Sequence, residues 1–414
     1  MDKLWGIFDE WTEYALRTSL RPRRGWENLL EFSASKPVFL TGIRRSGKSS
    51  LMMLLAQKAG GRVGYVNLED HRLPDEPSTL DSVLSWHGDK GFLFLDEISS
   101  VKDWAGWLAR VHEQTKGKLF LIVSSSVFSF PPKSLRGRLL RFELFPLSFE
   151  EFLEFKGYRR EAKTVAERGR MFQWFYEYLV WGGFPEVVLA EEDFHRLMIL
   201  SSYFSDIIAL DVAEKNEEDI GLVKAVARYL METKEFSASK TRNFLKTIGW
   251  KCGKERLLSL EDSLSRAYLF FFLEIFSGKI KDKLQYPRKV YPGDTGFFKA
   301  ITNKEERGRL YKTAVFLAIR RNLSPLQEIN YWKSQRNGEI DFVVRRGKNV
   351  EEIIQVTSGE DIKPREYKAA LEAAESLGIK EITFIGDVEG EEKKGGVKFR
   401  FRNIVDWLLK RGQV

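Results

Sequence analysis

At 414 residues the chain is long enough for roughly two to four domains, and 43% apolar with 30% charged residues makes it globular rather than disordered. One cysteine, Cys252, excludes an internal disulfide and a cysteine-built zinc site, and no run approaches the ~18 apolar residues that a bilayer span needs. A net charge of +8 with a pI near 9.2 leaves nucleic acid or another polyanion open as a partner without requiring one.

The N-terminus, Met1-Asp2-Lys3-Leu4-Trp5, has no long apolar stretch of the secretory kind, so a cytoplasmic protein without a membrane partner is expected. Trp5, Phe8, Trp11, Tyr14 and Leu16 follow a near-helical spacing and predict a packing helix. A basic elbow follows, Arg21-Pro22-Arg23-Arg24-Gly25, read as a solvated turn or as an arm toward nucleotide or DNA.

From Lys36 onward, apolar runs alternate with helical segments, as in a parallel α/β sheet. The expected strands are Val38–Leu40, Val63–Leu68, Phe92–Leu95, Leu119–Val123 and Leu139–Leu144. Several are continuously apolar, which suits strands covered on both faces. The first enters Gly42-Ile43-Arg44-Arg45-Ser46-Gly47-Lys48-Ser49, a G-x-x-x-x-G-K-[ST] loop, and a helical run from Leu51 to Lys58 leaves it. Such a loop wraps a phosphate with backbone N–H groups at a helix N-terminus. Gly42, Arg45, Ser46, Gly47, Lys48, Ser49 and Ser50 are therefore expected around the phosphates of ATP or ADP. Lys48 would neutralise the β/γ-phosphates, and Ser49 would ligate Mg²⁺. Neither Arg44 nor Arg45 is given a catalytic role.

Phe92-Leu93-Phe94-Leu95 ends in Asp96-Glu97, and strand ends in open α/β sheets face the ligand crevice. Asp96 is the second candidate for Mg²⁺, and Glu97 is the candidate to orient or deprotonate the attacking water. Asn67 is a candidate to hold Glu97 back, and Ser124-Ser125-Ser126 to touch the γ-phosphate or the water. In Ser134-Leu135-Arg136-Gly137-Arg138, Arg138 or Arg136 could stabilise transition-state charge, in cis or from a neighbouring subunit.

Further on, Phe149 to Phe155, Glu161 to Trp181 and Phe194 to Leu210 read as helices, with Met171, Trp174, Phe175 and Tyr178 on one apolar face. Helices at Ile220–Met231, Ser237–Ile248 and Lys254–Ala267 precede a basic hairpin bounded by Leu269–Ile275 and Lys289–Tyr291, with Lys279, Lys281, Lys283 and Arg288 within it. This is the pattern of a winged helix, for which Lys240, Arg242, Lys246, Lys251, Lys254 and Arg256 are candidate DNA contacts. Tyr291-Pro292-Gly293-Asp294-Thr295-Gly296 predicts a tight turn and no chemistry.

The last stretch predicts a helix Gly308–Arg321, strands Leu326–Lys333, Glu339–Arg345 and Val350–Thr357, a helix Pro364–Leu377, a strand Glu381–Ile385 and a helix Ile404–Lys410. Ser334-Gln335-Arg336-Asn337-Gly338 joins the first two strands. Asp341 and Gln355-Val356-Thr357 occupy the layout of PD-(D/E)XK nucleases, with Gln355 and Thr357 where Glu and Lys are usual and Lys312 where the helix usually offers Glu. An amide and a hydroxyl do not replace a carboxylate and an ammonium, so a catalytically silent domain is expected unless Glu339 or Glu352 compensates.

Gly42 to Ser49, Leu95-Asp96-Glu97, Leu135-Arg136-Gly137-Arg138, Pro146-Leu147-Ser148-Phe149-Glu150-Glu151-Phe152 and Trp181-Gly182-Gly183-Phe184-Pro185-Glu186 occur in that order. Together they resemble the AAA-type P-loop ATPases widespread in archaea and bacteria, relatives of the STAND NTPases. The resemblance covers essentially the whole chain, with specific motifs in the first half and looser ones in the second. It implies an α/β multidomain chain: a parallel-sheet ATPase core at 1–147, a helical lid at 148–215, a winged helix at 216–300 and a restriction-endonuclease-like α/β domain at 301–414. It also implies that Pro185, in Gly183-Phe184-Pro185, contacts the nucleotide. The expected function is Mg²⁺-dependent ATP hydrolysis driving a conformational switch on double-stranded DNA or a protein partner. A STAND-like switch that scaffolds assembly without DNA, and an ATP-dependent nuclease, are the alternatives.

Overall fold

Continuous apolar runs make poor helices at a surface but good central strands, and the sheet of the first unit is built from them. The computed structural model describes residues 2–23, 25–127, 135–158, 164–336, 338–359 and 361–411. Arg24, Ser134, Asn337 and the Glu161 start of the expected long helix lie outside them. The chain forms two compact units, Met1–Phe145 and Pro146–Val414.

In the first unit, α1 (Asp2–Arg17) and α2 (Asn28–Ser33) precede β1 (Val38–Thr41), α3 (Lys48–Lys58), β2 (Val63–Asn67), α4 (Pro77–His87), β3 (Gly91–Asp96), α5 (Trp104–Gln114), β4 (Leu119–Ser125) and β5 (Leu140–Glu143). The strands form one parallel sheet in the order β2-β3-β4-β1-β5. Alternate strand residues feed opposite cores. Phe39, Leu93 and Leu95 pack with Leu80 and Val83 of α4 and Leu108 and Val111 of α5. Val38, Leu40 and Phe94 pack with Leu51, Met52 and Leu55 of α3. The edge strand β2 is closed by α1, where the Thr12 hydroxyl donates to Tyr65 O at 3.1 Å and accepts from Tyr65 N at 3.0 Å. One side chain thus satisfies both backbone groups of an otherwise open edge.

The second unit begins with helices: α6 (Phe149–Phe155), α7 (Val165–Trp181), α8 (Pro185–Leu189), α9 (Asp193–Asp206) with a π-helical continuation Ile207–Ala213, and α10 (Ile220–Glu232). Ser148 and Thr164 cap α6 and α7 reciprocally with Glu151 and Glu167. Next come β6 (Glu235–Phe236), α11 (Ala238–Thr247), α12 (Lys254–Arg266), β7 (Phe270–Leu273), α13 (Ile280–Gln285), β8 (Arg288–Pro292) and α14 (Gly296–Thr302). A small antiparallel sheet β6-β8-β7 joins the expected hairpin strands to a two-residue strand that the sequence does not announce. Between β7 and β8 the chain forms α13 rather than a plain turn.

The end of the chain holds α15 (Arg307–Arg321), β9 (Gln327–Lys333), β10 (Glu339–Arg346), β11 (Asn349–Val356), α16 (Pro364–Leu377), β12 (Glu381–Gly386), β13 (Gly390–Lys394), β14 (Val397–Asn403) and α17 (Ile404–Lys410). Its mixed sheet runs β13-β14-β12-β11-β10-β9. Val397, Phe399 and Phe401 point inward with the period of two expected for a half-buried strand.

The two glycine-rich motifs of the second unit form one staple. Asp294 is buried, and its carboxylate accepts from Gly183 N and Gly296 N, both at 2.8 Å. Gly182 has φ 80°, and a Cβ there would lie 1.6 Å from Asp294 Oδ1. Burial pushes the Asp294 carboxyl up to about 6, against the pull of the two N–H bonds. A free carboxyl titrates near 3.9, so between about pH 4 and 6 the folded state holds the extra proton and this group makes stability fall as pH rises. Asp294→Ala, which orphans two buried N–H groups, is expected to lower the unfolding free energy at neutral pH by ~2 kcal/mol or more and to remove that slope, as read by urea titrations across the window.

Candidate active site at the phosphate loop

β1 ends at Thr41, and the loop turns at once. Gly42 has φ 150°, and a Cβ there would meet Leu144 O at 2.0 Å, so the position takes glycine. Gly47, at φ 97°, delivers the chain into α3, whose N-terminus has no side-chain cap. First-turn N–H groups without a cap favour an anion. The buried Ser46 hydroxyl also has no hydrogen-bond partner among the described residues. An uncapped helix start and an orphaned hydroxyl in one loop fit a phosphate chain.

Lys48, 3% exposed, donates from Nζ to Gly42 O at 3.0 Å, Ile43 O at 3.2 Å and Ser126 Oγ at 2.9 Å. Its ammonium also stands 3.7 Å from Glu97 Oε1. Ser126 then donates its hydroxyl to Glu97 Oε1 and its backbone N–H to Glu97 Oε2, the latter at 2.8 Å. One hydroxyl therefore bridges the lysine of the loop and the glutamate beyond β3.

Asp96 closes β3 and is 1% exposed. Tyr65 donates its phenol to Asp96 Oδ2 at 2.8 Å, Ser124 donates to Oδ1, and the Ser49 hydroxyl is hydrogen-bonded to the same carboxylate. Burial and then the neighbouring Glu97 charge raise the Asp96 carboxyl above its usual range, against those hydroxyls. For Glu97 burial also opposes the charge, but Lys48 and the two Ser126 donors hold the carboxyl below its ordinary value. Glu97 has φ 51°, a left-handed conformation uncommon for glutamate, and its N–H donates to Ser124 Oγ at 2.9 Å. Lys48, Ser49, Asp96 and Glu97 are thus brought together.

The serine run splits its work. Ser124 serves Asp96, Ser125 meets Ser99, and Ser126 serves Lys48 and Glu97. Asn67, expected to hold Glu97, instead accepts from Glu69 N at 3.0 Å in a local turn. Arg45 sits in the loop at φ 69°, Arg44 pairs with Glu69 at 3.1 Å, and Ser50 lies in the first turn of α3. From the elbow, Arg23 is 7% exposed and donates to Ser46 O at 3.0 Å, bracing the loop rather than lying in solvent. Tyr65 is the member that sequence alone does not single out, and Ser126 is found within the serine run, bonded to Lys48 and Glu97.

Arg138 lies elsewhere. It is exposed two residues before β5, which pairs in parallel with β1 from Val38↔Leu140. It shares the neighbourhood of His112 with Lys36 and Lys116, at the end where the strands begin. The loop leaves the other end, four strand residues away, roughly 13 Å at ~3.3 Å per residue. Arg136 flanks the same turn. Pro185 belongs to the second unit, where it opens α8 beside the Asp294 staple.

In the C-terminal sheet Asp341, 4% exposed, pairs with Lys312 and accepts from Val356 N at 3.0 Å, while Gln355 Oε1 accepts from Asp341 N at 3.1 Å. Glu339 pairs with Lys289 and Glu352 with Arg411. Among the described residues no group of three or more His, Cys, Asp or Glu side chains is arranged to hold a metal ion.

The family described as "AAA domain" matches residues 34–153; two domains of unknown function, DUF8612 and DUF4143, match 172–308 and 307–398. The chain is 32% identical over 371 residues to "Uncharacterized protein MJ1544" of Methanocaldococcus jannaschii, covering 85% of this chain and 82% of that protein. It is 25% identical over 391 residues to an uncharacterized protein of Haemophilus influenzae, covering 89% and 93%. Among solved structures it is similar to the Walker-type ATPase PABY2304 of Pyrococcus abyssi, at 14% identity and a TM-score of 0.48, over 70% of this chain and 97% of that one. No helix among the described residues is long and apolar enough to cross a membrane.

The buried Tyr65–Asp96 bond makes a direct claim on stability. Tyr65→Phe keeps the ring and removes one donor from a desolvated carboxylate, so unfolding by guanidinium is expected to show a loss of ~1.5–3 kcal/mol.

Proposed function

The chain belongs to the same family as MJ1544 of Methanocaldococcus jannaschii and carries an AAA domain, and from that premise we propose that it is a Mg²⁺-dependent ATPase that couples hydrolysis to a switch acting on DNA. The observation that carries the reading is the convergence of Lys48, Ser49, Asp96, Glu97 and Ser126 around an uncapped helix start. In this reading the loop N–H groups and Lys48 hold the β/γ-phosphates. Ser49 and Asp96 would hold Mg²⁺, which would neutralise phosphate charge. Glu97, with its carboxyl depressed, is ionised and able to orient the attacking water. Lys48 exchanges its bond to Ser126 for phosphate oxygens, and Ser126 is then freed to loosen Glu97. A finger role for Arg138 requires a neighbouring chain, because its own loop is out of reach.

The DNA part of the reading rests on α11 and the turn after it. Lys240, Arg242, Lys246, Lys251 and Lys254 are exposed and have no carboxylate partner among the described residues, whereas Arg256 is spent on Glu218 at 2.6 Å. With the β6-β8-β7 sheet behind them, α10–α12 have the composition of a winged helix. The scaffolding alternative is favoured by one feature, the exposed aromatics Phe172, Tyr176 and Phe194 at 48%, 58% and 71%. A nuclease is disfavoured, since Lys312 already neutralises Asp341.

Lys48→Ala is expected to cut ATP turnover by about a hundredfold or more, and Glu97→Gln by about 10²–10⁴-fold while keeping nucleotide binding, in steady-state assays paired with labelled-nucleotide titrations. Normal hydrolysis by Lys48→Ala would dismiss the site. Duplex DNA affinity should fall steeply with salt, and each Ala substitution at Lys240, Arg242 or Lys246 should flatten the log–log slope by about 1. Salt-independent assembly on ATP, with no duplex binding, would favour the scaffold.

A further inference from the structure

Within the second unit, a cleft of about 450 Å³ opens between the small antiparallel sheet and the C-terminal mixed sheet. Among the described residues, seven lysines and arginines line it against four acids. Each of those acids is already engaged. Asp341 is held by Lys312 and Val356 N, Glu339 by Lys289 at 2.7 Å, Glu306 by Lys234 at 3.9 Å, and Glu366 by Lys363 N at 3.1 Å. Lys363 and Arg365 are exposed and have no carboxylate partner among the described residues. Thr357, only 5% exposed, also lines the cleft, and its hydroxyl makes no hydrogen bond among the described residues.

This surplus of positive charge opposes a divalent cation and favours an anion. The available donors are an unbonded hydroxyl, two unspent cations and Lys312, whose side chain is 36% exposed beside Asp341. Several donors lining one cleft suit a group with several charged oxygens rather than a single carboxylate. The volume exceeds that of one phosphate and falls in the range of small-ligand sites. We propose that this cleft binds a phosphate group directly, without a metal ion, through Lys363, Arg365, Lys312 and Thr357. The phosphate belongs either to a free phosphate ester or to a nucleic-acid strand. The site is separate from the phosphate loop and from the cations of α11.

The test uses the full chain carrying Lys48→Ala, so that the loop does not contribute, in buffer with EDTA. Inorganic phosphate is titrated by calorimetry and a labelled DNA duplex by fluorescence anisotropy. At least one ligand is expected to bind. Lys363→Glu combined with Arg365→Glu should weaken it by about tenfold or more, while Lys363→Arg combined with Arg365→Lys should bind like the parent. Phosphate binding identifies a free ester as the ligand, and duplex binding without phosphate binding identifies a strand. Thermal unfolding checks each variant, and Lys363→Ala with Arg365→Ala replaces the reversal if its midpoint falls. The proposal is overturned if neither ligand binds, if binding needs Mg²⁺, if the charge-reversed chain binds like the parent, or if duplex is the one ligand bound and responds to Lys240→Ala but not to the cleft.

Discussion

A buried lysine and a buried glutamate, with ammonium and carboxylate 3.7 Å apart, attract each other directly, and the Ser126 hydroxyl beside them is hydrogen-bonded to both. It accepts from the ammonium and donates to the carboxylate, so each charge keeps a partner that is neutral. Removing two such charges from water is costly unless every lone pair and proton is used. Here backbone carbonyls of the loop take the remaining lysine protons, and the Ser126 N–H takes the other glutamate oxygen. The parallel sheet makes this possible. Adjacent strands β3, β4 and β1 end at one edge, so residues 29 and 78 positions apart in sequence meet there.

The second unit solves a different problem with the same economy. Two chain segments about 110 residues apart must approach closely enough that no side chain fits between them. A Cβ at Gly182 would lie 1.6 Å from Asp294 Oδ1, and one at Gly296 would lie 2.3 Å from Trp181 O. The backbone N–H groups exposed by that approach need an acceptor, and the buried Asp294 carboxylate gives one oxygen to each. Gly183-Phe184-Pro185 is thereby explained as architecture whatever else it does. Its proposed contact with nucleotide would be an added role for a segment already fixed by packing.

How much of this was legible depended on distance along the chain. The five strands of the first sheet were readable because runs such as Phe92–Leu95 are apolar on both faces, and the loop was readable because its residues are contiguous. Ser126 was in view only as part of a serine run; what it bonds is set by strand order, which no local pattern encodes. Asn67 shows the converse. Its residue type suited a restraint on Glu97, but a local Asx-type bond to Glu69 N was nearer and won. Tyr65 carried no signal, since an aromatic in an apolar strand looks like core. Strand β14 carried one that went unread, the alternation of Val397, Phe399 and Phe401 with Lys398 and Arg400, whereas its partner β13, Gly390-Glu-Glu-Lys-Lys, is exposed and has no apolar pattern to find. Asp341 and Gln355 were readable as neighbours, but that Lys312 would complete an ion pair there needed the fold.

The position of Arg138 turns a question about chemistry into one about assembly. In a parallel sheet the strand direction separates two edges, and the loop occupies the edge where strands end. Arg138 sits at the edge where they begin, exposed and in the neighbourhood of His112 with Glu113, Lys116 and Lys36. No rotamer spans the length of β5, so within one chain this arginine and the loop act independently. A second chain packed loop edge against Arg138 edge would bring them together, and such a head-to-tail contact is heterologous: it repeats into a ring or a filament rather than closing as a two-fold dimer. If Arg138 contributes to hydrolysis, turnover must therefore depend on protein concentration, and the oligomer cannot be a simple symmetric pair.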